Sequence, residues 1–105
     1  MSYPKLVRDR IPAIIAASGR QCRTTALTEP AFRASLLAKL IEEAQEVQAA
    51  TPEELITELA DVLEVVDALL TLHKFTSSQV HEVQEQRRQA AGSFESRLQL
   101  DWVEE

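Results

Sequence analysis

Cysteine is nearly missing from this chain. The single Cys22 excludes an intramolecular disulfide and leaves no thiolate cluster for zinc; it reads as an incidental small residue. Glycine is almost as scarce, with two in 105 residues, and aromatics make up only 5%. Few glycines beside abundant Ala, Leu, Glu and Gln favour helix over sheet. No apolar run reaches the roughly 18 residues of a membrane span. The opening "MSYPKLVRDRIP" is charged almost at once and lacks a signal-peptide core, which predicts a cytoplasmic protein. Basic residues are the minority, 11 against 17 acids, for a net charge of −6. That balance argues against a nucleic acid polymer held by bulk electrostatics and suits metal cations better. A chain of 105 residues implies one domain, residues 1–105.

Apolar periodicity then predicts four helices. The first runs from about Lys5 to Ala17, with Leu6, Ile11, Ile14 and Ile15 as a rough stripe, Pro12 disturbing its opening turns and Ser18-Gly19 as its stop. Residues 20–27 read as a loop or a short extended piece. Thr28 caps a second helix with Pro30 in its first turn, and Phe32, Leu36, Leu37, Leu40, Ile41, Ala44 and Val47 recur at helical spacing as far as about Ala50. Thr51-Pro52-Glu53-Glu54 has the form of a capping box, opening a third helix from Pro52 to about Phe75. That helix is apolar around most of its girth, so it should be buried on several sides, including a subunit interface. Thr76-Ser77-Ser78 caps a polar fourth helix, Gln79 to about Ala91, ended by Gly92. The expected fold is an all-α helical bundle on a central antiparallel helix hairpin, completed by oligomerisation.

Two acid pairs stand out against the apolar pattern. Glu43 and Glu46, three apart, share one face of the second helix; Glu58 and Asp61 share a face of the third. At about 1.5 Å rise per residue, a hairpin turning at Thr51 brings the pairs nearly level. A lone acid pair at this spacing is commonly a solvated helix face, and Glu42 fits that description. Glu58 and Asp61 do not, because Leu55, Leu59, Val62 and Leu63 surround them. Four converging carboxylates need protons or a hard cation. With oxygen ligands only, Mg²⁺ is the candidate and Mn²⁺ a possible substitute. Glu64 and Asp67 repeat the spacing but lie farther from the turn, so Glu43, Glu46, Glu58 and Asp61 are the preferred metal ligands.

These residues resemble the MazG-like superfamily of all-α nucleoside triphosphate pyrophosphohydrolases, which includes phosphoribosyl-ATP pyrophosphohydrolase and dimeric dUTPases. Its Glu-Glu-x-x-Glu motif corresponds to Glu42-Glu43-Ala44-Gln45-Glu46, and its Glu-x-x-Asp motif to Glu58-Leu59-Ala60-Asp61. "YPKLVRDRIPAII" is similar to the opening of a small subgroup, with Arg10 where lysine is common, and "AAGSFESRLQL" to its closing pattern, with Ala91 in place of an arginine. The resemblance spans Tyr3 to about Val103. It implies Mg²⁺-dependent cleavage of a nucleoside triphosphate, standard or non-standard, between the α- and β-phosphates. It further implies catalytic work by Glu42, Glu43 and Glu46, with Glu42 a further ligand or the orienter of the attacking water.

A triphosphate calls for cations, and Lys5, Arg8, Lys39 and Arg97 are the candidates for its phosphates. Arg10 and Lys74 are weaker ones, and Asp9 is read as an anchor for Arg8. Trp102 is expected at an interface rather than stacked on a base, and His73 and His81 at the surface. The partners expected are the nucleotide and further copies of the chain, as homodimer or homotetramer. Two rival functions remain at this level: phosphoribosyl-ATP hydrolysis in histidine biosynthesis, and a non-catalytic helical interaction module. A metal-binding protein without turnover is a third.

Overall fold

The computed structural model describes residues 4–105, so Tyr3 of the N-terminal motif lies outside the described residues. Among those described there are four helices and no strand: α1 Ile11–Ala17, α2 Glu29–Ala49, α3 Leu55–Leu72 and α4 Ser77–Ala91. The all-α expectation holds. Helices α2 and α3 pack against each other, and residues 50–54 are too short a connection for anything but an antiparallel pair.

The ends of the helices follow local chemistry. Thr28 is extended, and its hydroxyl accepts from the Ala31 N–H at 3.4 Å, with Pro30 in the first turn where no N–H is needed. Thr76 and Gln79 form a complete capping box: the Gln79 N–H donates to the Thr76 hydroxyl at 3.1 Å, and the Thr76 N–H to the Gln79 side chain at 2.7 Å. Gly19 and Gly92 take φ of 85° and 88° just beyond α1 and α4, where left-handed backbone suits glycine.

Four boundaries differ from the sequence reading. Helix α4 begins at Ser77, not Gln79, because Thr76 alone is the N-cap and Ser77 and Ser78 are already helical. Helix α1 begins at Ile11, not Lys5, because the ring of Pro12 clashes with the carbonyl four residues back, that of Arg8. Helix α3 begins at Leu55, not Pro52. Glu54 Oε1 does accept from the Thr51 N–H at 3.4 Å, but the Thr51 hydroxyl donates to that same oxygen at 2.7 Å. It therefore leaves the backbone of the first turn uncapped, and residues 52–54 form a turn. At the far end α3 stops at Leu72. The Phe75 N–H reaches back to the Leu70 carbonyl and the Lys74 N–H to that of Thr71, with Lys74 at φ 61°; this is a Schellman ending that uses lysine where glycine is usual.

The buried centre of the chain is small. Leu36 of α2 and Val65 of α3 are its buried apolar side chains among the described residues, and Glu43 is the buried charged one. The expectation that α3 is enclosed on several sides is not met within one chain. Among the described residues only α2 packs broadly against it, and Ile56, Leu59 and Leu63 stay exposed. The tail beyond Gly92 has no regular structure, and Phe94, Leu98, Leu100, Trp102 and Val103 all face outward.

Candidate metal centre

Two helical turns separate Leu36 from Glu43 on α2, and the same interval separates Glu58 from Val65 on α3. Asp61 lies between them on the same stripe. The acids thus occupy the faces along which the two helices pack. Packing of Leu36 and Val65 brings the carboxylates with it.

Glu43, Glu58 and Asp61 converge so that one carboxylate oxygen from each lies within 4.8 Å of the others. Glu43 is 5% exposed. Its Oε1 lies 3.5 Å from the Lys39 Nζ, one turn earlier on α2, but its Oε2 is buried with no hydrogen-bond partner, as is the Oε2 of Glu58. An orphaned buried carboxylate oxygen is costly. A hard cation would satisfy both oxygens, and the donor set is wholly oxygen, so these residues fit Mg²⁺ or Mn²⁺. The crowding shows in the acid–base chemistry as well. Burial pushes the Glu43 carboxyl above the ordinary range. Glu46, three residues along the same helix, pushes it further by charge repulsion. Lys39 acts against these effects, and Asp61 adds to them.

The remaining expected site residues fall into two groups. Glu46 lies on α2 close enough to perturb Glu43, yet outside the converging three. Glu42 is half-exposed and 3.7 Å from Lys39. Arg8 donates from Nη2 to Asp61 Oδ1 at 2.8 Å, and its Nη1 lies 3.8 Å from Glu64 Oε1. Its contact with Asp61, 53 positions away, is a pairing that helical spacing cannot disclose. Asp9 makes no ion pair with it among the described residues. Asp67 is exposed, and Lys5 is half-buried near the N-terminus. Arg97 sits in the tail, its N–H on the Phe94 carbonyl at 3.2 Å, with no ion pair among the described residues. The depression lined by Glu29, Pro30, Arg33, Leu72 and His73, about 310 Å³, belongs to the opposite end of the hairpin from the acids. There Arg33 meets His73 at 3.4 Å.

Comparison of the chain with known protein families, with curated proteins and with solved structures finds no match.

Proposed function

We propose that the protein is a Mg²⁺-dependent nucleotide pyrophosphohydrolase. The observation that carries this reading is the convergence of Glu43, Glu58 and Asp61 from two helices, with two buried carboxylate oxygens left unpartnered. The motifs resembling the MazG-like superfamily fall on these same residues, which supports a nucleotide as substrate.

Glu43, Glu58 and Asp61 would hold the metal, with Glu46 as a fourth ligand one turn along. Bound there, Mg²⁺ would supply charge neutralisation and a water of lowered pKa. Glu42 orients the attacking water from the edge of the group. Lys39 is tied to Glu42 and Glu43 at 3.7 and 3.5 Å, so it holds both carboxylates and would offer its charge to a phosphate bound beside them. Lys5 and Arg97 contribute positive charge for the outer phosphates. Water adds to the α-phosphorus, the bond to the bridging oxygen breaks, and pyrophosphate leaves as the nucleoside monophosphate forms. Further copies of the chain complete the protein, because the apolar surface of α3 and the tail is left uncovered by one chain.

A panel of nucleoside triphosphates, with pyrophosphate detection in the presence and absence of Mg²⁺, tests this. Turnover with one or more nucleotides is expected only with metal. Glu46→Gln and Asp61→Asn should each lower kcat/KM more than about 100-fold while the far-UV spectrum stays helical. Full activity in both variants, or no pyrophosphate from any nucleotide, would overturn the reading. The rival reading, a helical interaction module without catalysis, draws on the extent of exposed apolar surface. It predicts neither turnover nor a metal-dependent rise in melting temperature.

A further inference from the structure

Three carboxylates with oxygens within 4.8 Å attract whatever cation the chain itself can offer, and two bases are in reach. Lys39 lies against Glu43 from one side and Arg8 against Asp61 from the other. The two are tethered differently. Lys39 shares a helix with its partner, one turn away, so it cannot leave the site. Arg8 precedes α1, and its bond to Asp61 is the one hydrogen bond, among the described residues, that joins residues 4–27 to the two long helices. Beyond that bond, the segment rests on half-buried side chains such as Leu6, Ile11 and Ile15. The Arg8 fork spans Asp61, inside the converging group, and Glu64, just outside it.

We propose that Arg8 is an internal counter-cation that competes with metal for Asp61, so that metal binding releases the N-terminal segment from α3. The proposal rests on the metal-site reading and goes beyond it. Guanidinium and metal both require the Asp61 carboxylate, and a cation beside three carboxylates also repels a guanidinium held there. When Arg8 lets go, the charged start of the chain is freed beside the site, where an incoming polyphosphate would meet it. The charge of the site is thereby linked to the docking of α1. Arg8 is a positioning residue here and not a ligand.

The full-length chain, stripped with EDTA, is titrated with Mn²⁺ alone and followed by electron paramagnetic resonance of the free ion. Wild type, Arg8→Gln and Arg8→Lys are compared. An exposed ion pair of this kind corresponds to roughly a twofold to fivefold gain in Mn²⁺ affinity for Arg8→Gln, with Arg8→Lys between it and wild type. Backbone hydrogen exchange of residues 11–17, read with and without Mn²⁺, gives the second measure. Exchange should speed up severalfold on adding Mn²⁺ to wild type, and be fast and metal-independent in Arg8→Gln. A merely structural Arg8 would protect α1 equally with and without metal, and that result overturns the proposal. Equal Mn²⁺ affinity in wild type and Arg8→Gln overturns it too while leaving the metal site standing. If neither protein binds Mn²⁺, the metal site and the proposal fall together. Simple long-range repulsion is separated by Arg10→Gln, which removes a nearby positive charge that makes no ion pair with Asp61 among the described residues. Its Mn²⁺ affinity should stay at the wild-type value, and a gain equal to that of Arg8→Gln overturns the competition for Asp61.

Discussion

Glu43 carries the clearest consequence at the residue scale. Its carboxyl is held above the ordinary value by burial and by Glu46, so the folded chain binds a proton more tightly than the unfolded chain does. Where the folded state holds more protons, stability falls as pH rises. The loss begins near the ordinary carboxylate value, about 4.3, and continues until the raised Glu43 value has been passed. In EDTA, melts of wild type should therefore show this group destabilising the protein progressively from about pH 4.3 upward. Glu43→Gln should flatten that slope and be the more stable protein at pH 7. Saturating Mg²⁺ should invert the order, because the metal rewards the charged form. Identical pH profiles in EDTA for the two proteins would show that Glu43 is not strained by its surroundings. Helical spacing made the acids legible, since Glu43, Glu58 and Asp61 could be placed on facing stripes from their numbers alone. What it could not show was which cations answer them. Lys39 is visible at one turn, whereas Arg8 reaches Asp61 only through the fold.

At the element scale, the first three helices were legible from their apolar period and the polar fourth from its cap and its glycine stop, and the errors lie at helix ends. Pro12 reads as a disturbance within a helix from Lys5, whereas its clash with the Arg8 carbonyl keeps the helix from starting before Ile11. Thr51 and Glu54 have the form of a capping box, yet the hydroxyl spends its proton on the carboxylate instead of accepting a backbone N–H. The two hydrogen bonds from Thr51 hold the Glu54 carboxyl below its ordinary value. Lys74 gives the most direct test. It occupies the left-handed position of a Schellman ending at φ 61°, a conformation costly to a residue with a Cβ. Lys74→Gly should stabilise the chain by roughly 1 kcal/mol, read as a higher urea midpoint with an unchanged m-value. A lower midpoint would mean that the lysine side chain, and not the backbone, terminates α3.

The whole molecule is longer than its residue count explains. Its radius of gyration is 18.1 Å and its extents are 60 × 34 × 27 Å, whereas a compact chain of this length has a radius near 13 Å. Among the described residues Leu36 and Val65 are the buried apolar side chains, a small core for a chain of this length. The exposed residues are not scattered. Ile56, Leu59 and Leu63 recur at helical spacing along α3, Leu37 and Ile41 are a turn apart on α2, and Leu98, Leu100 and Trp102 alternate along the tail. A second hairpin set against the first would turn two helices into a four-helix arrangement and cover that stripe. Light scattering behind size exclusion should give a mass of at least twice 11.8 kDa, and the melting temperature should rise with protein concentration. Ile56→Glu with Leu63→Glu places charge on the stripe away from the carboxylates. It should lower the mass and the melting temperature together, and the helical signal should fall with them. A chain that runs at 11.8 kDa and melts cooperatively at every concentration would mean that the long hairpin needs no second copy.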